Sequence, residues 1–143
     1  MKKIILSLLI VLTIFIVTGC KEVGKETFVD MLYDEPNSYS QKEPVDIDNN
    51  KVLVYHYKED ESKSINLYYY KDKKLGDLVD ESLEYEEKEI NGFKWRIYHA
   101  NDFGVVYDTY DYEYKGALYR IELNGVDKYK EEFNTFINSV SFK

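Results

Sequence analysis

The 143 residues carry 19 Lys and Arg against 27 Asp and Glu, a formal net charge of −8 at pH 7, with a single Cys. An acid excess of this size excludes a generic nucleic-acid binder, and one thiol excludes an intramolecular disulfide framework or a multi-cysteine metal or iron–sulfur centre. Leu, Ile, Val and Phe make up 30 of the 124 residues from Cys20 onward, enough for a packed core, and the length predicts one domain.

The chain opens on the positive residues Lys2 and Lys3, followed by an apolar stretch from Ile4 to Val17 interrupted only by Ser7 and Thr13. This is the pattern of a secretory leader. As a helix the stretch rises only about 21 Å at ~1.5 Å per residue, short of the ~30 Å hydrocarbon core, so an uncleaved transmembrane anchor is the weaker reading. With Lys2 and Lys3 removed, the remainder holds 17 basic and 27 acidic residues, a net charge of −10. Lys21 to Glu26 is charged and small and reads as a short tether.

Further along, Phe28 to Tyr33 predicts a first strand, closed by Glu35-Pro36-Asn37 and a loop through Pro44. Val52 to Lys58 and Ile65 to Tyr70 are aromatic and β-branched runs separated by the charged stretch Glu59 to Ser64, the pattern of a hairpin. Leu75, Leu78, Val79 and Leu83 lie at helical spacing and predict a short helix. Asn91-Gly92 is a strong two-residue turn signal, because a type I′ turn needs positive φ at both central positions. That turn sets Glu89 against Lys94, Glu87 against Arg96 and Tyr85 against Tyr98, and turns Ile90, Phe93, Trp95 and Ile97 to the buried face. A second tight turn at Lys115-Gly116 sets Tyr114 against Ala117, Tyr112 against Tyr119 and Tyr110 against Ile121, an apolar aromatic face. Its reverse, with Asp111 opposite Arg120 and Glu113 opposite Leu118, reads as solvated. Tyr129, Phe133, Phe136 and Ile137 mark a helix from about Asp127 to Asn138, and Ser139 to Phe142 reads as a closing strand.

This order of elements predicts an α+β fold: an antiparallel sheet of about six or seven strands with helices packed on it. The domain division is residues 1–19 as leader, 20–26 as modified Cys and tether, and 27–143 as one α+β domain. The ending Phe133-Asn134-Thr135-Phe136-Ile137-Asn138-Ser139-Val140-Ser141-Phe142 resembles that of PsbP-like and Mog1-like domains. The resemblance implies a central antiparallel sheet flanked by helices and, by analogy, an interaction role, and it transfers no catalytic residue. Separately, Val17-Thr18-Gly19-Cys20 resembles the bacterial lipobox. That resemblance implies a thioether-linked diacylglyceryl group on Cys20, cleavage after Gly19, and a lipid-anchored domain on the outer face of the cell membrane. Two acyl chains, at about 0.8 kcal/mol per buried CH₂, make such an anchor lasting. Sparse Ala, few Arg and abundant Ile, Asn and Tyr suggest an AT-rich coding sequence of the low-GC Gram-positive kind.

Chemistry-bearing patterns are thin. Neither His56 nor His99 stands at a recognised metal-ligand spacing; His99 shares the parity of Phe93, Trp95 and Ile97 and reads as a partly buried strand-end residue. Asp46-Ile47-Asp48-Asn49-Asn50 begins like a calcium loop, but Lys51 stands where Gly is needed and Tyr57 where a bidentate Glu is needed. There is no Gly-x-Ser-x-Gly elbow and no phosphate-binding Gly-rich loop. The 15 tyrosines are the strongest feature. Tyr68, Tyr69 and Tyr70 are consecutive, so alternation sends at least one of them to the opposite face from the others. With Tyr85 and Tyr98 they are the candidate exposed aromatics, because phenols combine an apolar ring with a hydrogen-bonding tip. The expected function is a non-enzymatic lipoprotein that needs no cofactor or metal and binds a protein partner or a cell-wall polymer, not nucleic acid. The competing expectations are a small extracytoplasmic hydrolase using paired carboxylates and a small-ligand carrier with a cavity between sheet and helix.

Lipidation at Cys20 has a direct check. The membrane-extracted chain should carry the mass of a diacylglyceryl group and begin at Cys20, and Cys20→Ala should lose both that mass and membrane retention; unchanged mass and retention in the variant defeats the assignment.

Overall fold

The computed structural model describes residues 24–102, 105–125 and 130–143. The leader, Cys20 and the start of the tether lie outside the described residues, as do Asp127 to Tyr129 at the predicted start of the last helix. Eleven strands and one helix are present among the described residues. They are β1 (Lys25–Phe28), β2 (Met31–Asp34), β3 (Tyr39–Gln41), β4 (Val45–Ile47), β5 (Asn50–Tyr57), β6 (Ser64–Tyr70), β7 (Tyr85–Ile90), β8 (Phe93–Asp102), β9 (Val105–Tyr114), β10 (Ala117–Asn124), α1 (Lys130–Ser139) and β11 (Ser141–Phe142).

The fold is therefore mostly β, and the expected α+β layout with helices packed on a sheet of six or seven strands is corrected. Eight strands form one antiparallel sheet in the order β3-β5-β6-β10-β9-β8-β7, with β4 also paired to β5. A separate sheet, β1-β2-β11, has three strands. The loop expected through Pro44 instead carries strands β3 and β4, both paired with β5, and two predicted elements also differ. The single strand expected over Phe28 to Tyr33 is a hairpin turning at Val29-Asp30, with Val29 at φ 57°. A β-branched residue rarely adopts that conformation, so the turn has no turn-type sequence signal. Strand β1 also begins at Lys25, inside the stretch assigned to the tether.

The helix expected over Leu75 to Leu83 is a series of tight turns instead. Their hydrogen bonds run from Asp77 N–H to the Lys74 carbonyl, Val79 to Gly76 and Leu83 to Asp80, all spanning three residues. Gly76 has φ 93°, and the Asp77 and Asp80 carboxylates accept from the backbone N–H groups of Lys74 and Ser82, offering the chain a local alternative to helix. The segment leaves β6 and reaches β7 past β10, β9 and β8, a span of roughly 19 Å at ~4.8 Å per strand spacing.

The two tight hairpins follow the turn chemistry. Asn91 and Gly92 have φ 52° and 81°, Lys115 and Gly116 have φ 49° and 78°, and both registers are those the turns dictate. One face of the large sheet carries Leu53, Tyr55, Ile65, Leu67, Trp95, Ile97, Tyr119, Ile121 and Leu123, all buried. The small sheet and α1 cover this face. Phe133 packs on Tyr110, Phe136 on Tyr33, and the Tyr33 and Tyr55 hydroxyls meet at 2.8 Å. Phe142 of β11 is wedged among Phe93, Trp95, Tyr112, Tyr114 and Tyr119, at ring separations between 4.9 and 6.2 Å. Asn91 Nδ2 donates to the Val140 carbonyl at 2.6 Å, joining the first hairpin turn to the segment before β11.

The edges differ. Strand β7 carries four exposed charged residues, Glu86 to Glu89. The opposite edge is made in tandem by the three-residue strands β3 and β4, broken at Pro44.

Burial pushes the phenols of Tyr68, Tyr110 and Tyr119 up to about 12, with nearby Glu122, Asp108 and Asp30 carboxylates adding to the shift. A group whose folded pKa lies above its unfolded value of about 10 stabilises the fold fully below that value, and the contribution disappears as pH rises through the folded pKa. The expected outcome is alkaline unfolding between about pH 10 and pH 12. Tyrosinate absorbance and circular dichroism should change together in that window; gradual ionisation of all phenols near pH 10 with the fold retained would contradict it.

Candidate functional site

The second face of the large sheet was expected to be solvated along β9 and β10, and much of it is not. Residues 71–84 cross it as a strap: Lys74 Nζ donates to the Gly116 carbonyl at 3.1 Å and lies 3.3 Å from Glu113, and Leu75 N–H donates to Glu113 at 3.5 Å. A side chain at Gly76 would stand 3.6 Å from an Arg96 terminal nitrogen. Leu118 is buried, and Asp111 is only 1% exposed. A buried carboxylate needs a partner, and Arg120 supplies a two-pronged one: Nε donates to Oδ1 at 2.7 Å and Nη2 to Oδ2 at 2.8 Å. Burial on its own would lower the Arg120 pKa; the Asp111 carboxylate overrides it and the net shift is upward.

Register aligns this pair in one cross-strand row. It runs Val45, Val52, Tyr68, Arg120, Asp111, Arg96 and Glu87 over seven strands. The β9 to β7 end of the row lies beside the strap. The β4 to β6 end lies open. There Val45 and Ile47 are 51% and 54% exposed, Val52 and Val54 are half-buried, and the rings of Tyr68 and Tyr70 stack at 5.9 Å with planes 10° apart. Asn66, beside Tyr68 on the same strand face, donates to Glu122 at 3.1 Å. The open end is thus an aliphatic and aromatic strip with a charged, hydrogen-bonded backing.

The candidate tyrosines divide accordingly. Tyr68 and Tyr70 point to the open face. Tyr69 points the other way, half-buried against Tyr119 at 5.2 Å. Tyr85 is 50% exposed and lies under the Arg96 guanidinium at 4.2 Å, while Tyr98, across from it, is 2% exposed and is therefore no surface aromatic. Alternation alone assigned Tyr98 to the polar face, and that face is partly covered. Arg96 stands opposite Glu87 in the register but stacks on Tyr85; Lys94 reaches Glu87 diagonally at 2.6 Å and holds its carboxyl below the ordinary range.

The histidines lie elsewhere. His99 is exposed, not partly buried, with Nδ1 2.6 Å from Asp108 and Nε2 3.9 Å from Glu86. His56 Nδ1 meets the Glu61 carbonyl at 3.0 Å. Asp46 of the calcium-like segment pairs with Lys51 at 3.0 Å across the β4–β5 hairpin, whose turn holds Asp48 and Asn49 at φ 48° and 67°. Among the described residues, no group of three or more His, Cys, Asp or Glu is set to hold a metal ion. Asp80, like Glu87, has its carboxyl held down, here by the Ser82 hydroxyl, the opposite direction from a general acid kept protonated. Between α1 and the large sheet, Phe133, Phe136 and Ile137 are buried. The cleft beside α1, lined by Asp34 to Asn37, Glu132, Thr135 and Phe136, holds about 190 Å³.

No protein-family model matches the chain, and no curated protein matches it either.

The ion pair behind the open strip is testable by itself. Asp111→Ala should cost roughly 3–5 kcal/mol, because it leaves Arg120 buried and unpartnered, whereas Asp111→Leu with Arg120→Met should cost much less. Urea denaturation of both variants decides it; equal losses would mean that the single variant's loss is packing, not an orphaned charge.

Proposed function

We propose that this chain is a non-enzymatic binding domain, tethered through lipidated Cys20 to the outer face of the cell membrane, that engages a protein partner or a cell-wall polymer. The observation that carries the reading is the open strip of Val45, Ile47, Tyr68 and Tyr70 at one corner of the sheet, where exposed aliphatic residues lie beside stacked rings. Exposed aliphatic residues beside stacked, half-buried tyrosines give a partner apolar area and hydrogen-bonding tips on a surface that needs no reordering, which lowers the entropic cost of association. The sequence motif Val17-Thr18-Gly19-Cys20 supports the location, and the acidic balance supports a partner other than nucleic acid.

A photo-crosslinking residue at position 47, introduced into the full-length chain in intact cells, tests the surface. A discrete adduct is expected that falls at least roughly tenfold when Tyr70→Ser is added, as for central interface residues. The same probe at Glu89, on the charged edge, should give none. Equal labelling at both positions, or an adduct indifferent to Tyr70→Ser, overturns the reading.

A further inference from the structure

The same corner has a second side. Strand β4 turns Val45 and Ile47 to one face of the sheet and Asp46 to the other, where Asp46, Lys51 and Tyr69 share a cross-strand row. With Asn49, Asn50 and Lys71 they line a groove of about 340 Å³, within the size range of small-molecule sites. Two features pre-set its shape. Asn49 is held at φ 67° in the hairpin turn, and Asn50 Oδ1 accepts from the Lys71 backbone N–H at 3.3 Å, tying the turn to the end of β6.

The lining is of mixed chemistry. The Tyr69 ring, backed by Tyr119, supplies an apolar wall with a phenol tip. Asp46 and the Asn49 amide present acceptors and donors of the kind that pair with hydroxyl groups. Charge then narrows the choice. The Lys51 ammonium is balanced by Asp46 at 3.0 Å, while Lys71 forms no ion pair with any described residue. Among its lining residues the groove therefore carries one positive charge in excess, on a chain whose net charge is −8. An ammonium point charge favours an anion with strongly accepting oxygens.

We infer that this groove binds a phosphate-bearing polyol or saccharide unit, with Lys71 on the phosphate, Asn49 and Asp46 on hydroxyls, and Tyr69 against the carbon skeleton. This deepens the polymer branch of the proposed function and rests on it; the groove itself can fail independently.

The test uses the full-length chain extracted in non-ionic detergent, titrated by calorimetry with a poly(glycerol phosphate) oligomer and with an uncharged glucan oligomer of equal length. The phosphate polymer should bind, with affinity falling as salt rises, and the glucan should bind at least roughly tenfold more weakly. Lys71→Gln should cost about tenfold for the phosphate polymer, in keeping with a lost charge-assisted hydrogen bond, and should flatten the salt dependence. Asn49→Gly retains the turn, since Gly adopts positive φ freely, and should weaken binding several-fold. Glu89→Gln, on the charged edge strand β7 at the other side of the sheet, should leave it unchanged. Binding indifferent to Lys71→Gln and Asn49→Gly, preference for the glucan, or no binding of either polymer overturns the inference. If none binds while the Ile47-site adduct persists in cells, the groove assignment fails and the tethered binder stands; if the adduct is absent while Lys71-dependent binding holds, the reverse is true.

Discussion

The Asp111 carboxylate sits in the middle strands of an eight-stranded sheet with almost no access to water, and Arg120 holds it by two hydrogen bonds. A charge in that position is tolerable only if it is fully partnered. Its seclusion goes with a cover on that side of the sheet, and residues 71–84 lie there, fastened through Glu113 and the Gly116 carbonyl. The strap's span follows from the strand order, which places β6 and β7 four spacings apart. What the strap does not reach is the β4–β5–β6 corner.

The opposite face has its own cover, and aromatic residues make it. Phe142 contacts rings from β8, β9 and β10, so two residues of strand near the C-terminal end of the sequence hold the three-stranded sheet against the eight-stranded one. Abundant tyrosine is consistent with this arrangement. Tyr33, Tyr55 and Tyr119 are buried in the core, and Tyr110, Tyr112 and Tyr114 are packed against it. Their phenols make the interior less purely apolar than Leu or Phe would, and Tyr33 and Tyr55 satisfy one another.

Local chemistry explains which parts of this were legible in the residues. Asn91-Gly92 and Lys115-Gly116 tolerate positive φ, so both hairpins and their registers follow from turn geometry. The Val29-Asp30 turn carries no such signal, since Val is among the least suited residues for it, and one strand was expected where there are two. Leu75 to Leu83 misled through spacing: a helical stripe is a statement about one face, and here Gly76, Asp77 and Asp80 give the backbone turns that cross the sheet. For the candidate site, alternation separated Tyr69 from Tyr68 and Tyr70. It failed for Tyr98 because two-residue periodicity names a face without saying what lies over it. The groove was invisible for a related reason, as Asn50 and Lys71 meet only through the pairing of β5 with β6. The calcium-like segment turned out to be part of that groove, with Asp46 engaged by Lys51.

The margins of the large sheet bear on how many copies can share a surface. An unpaired strand is a template for another strand. Glu86, Glu87, Lys88 and Glu89 line one margin with a net negative charge, and the other margin is split into two three-residue strands. Both margins therefore discourage edge-to-edge pairing of one large sheet with another.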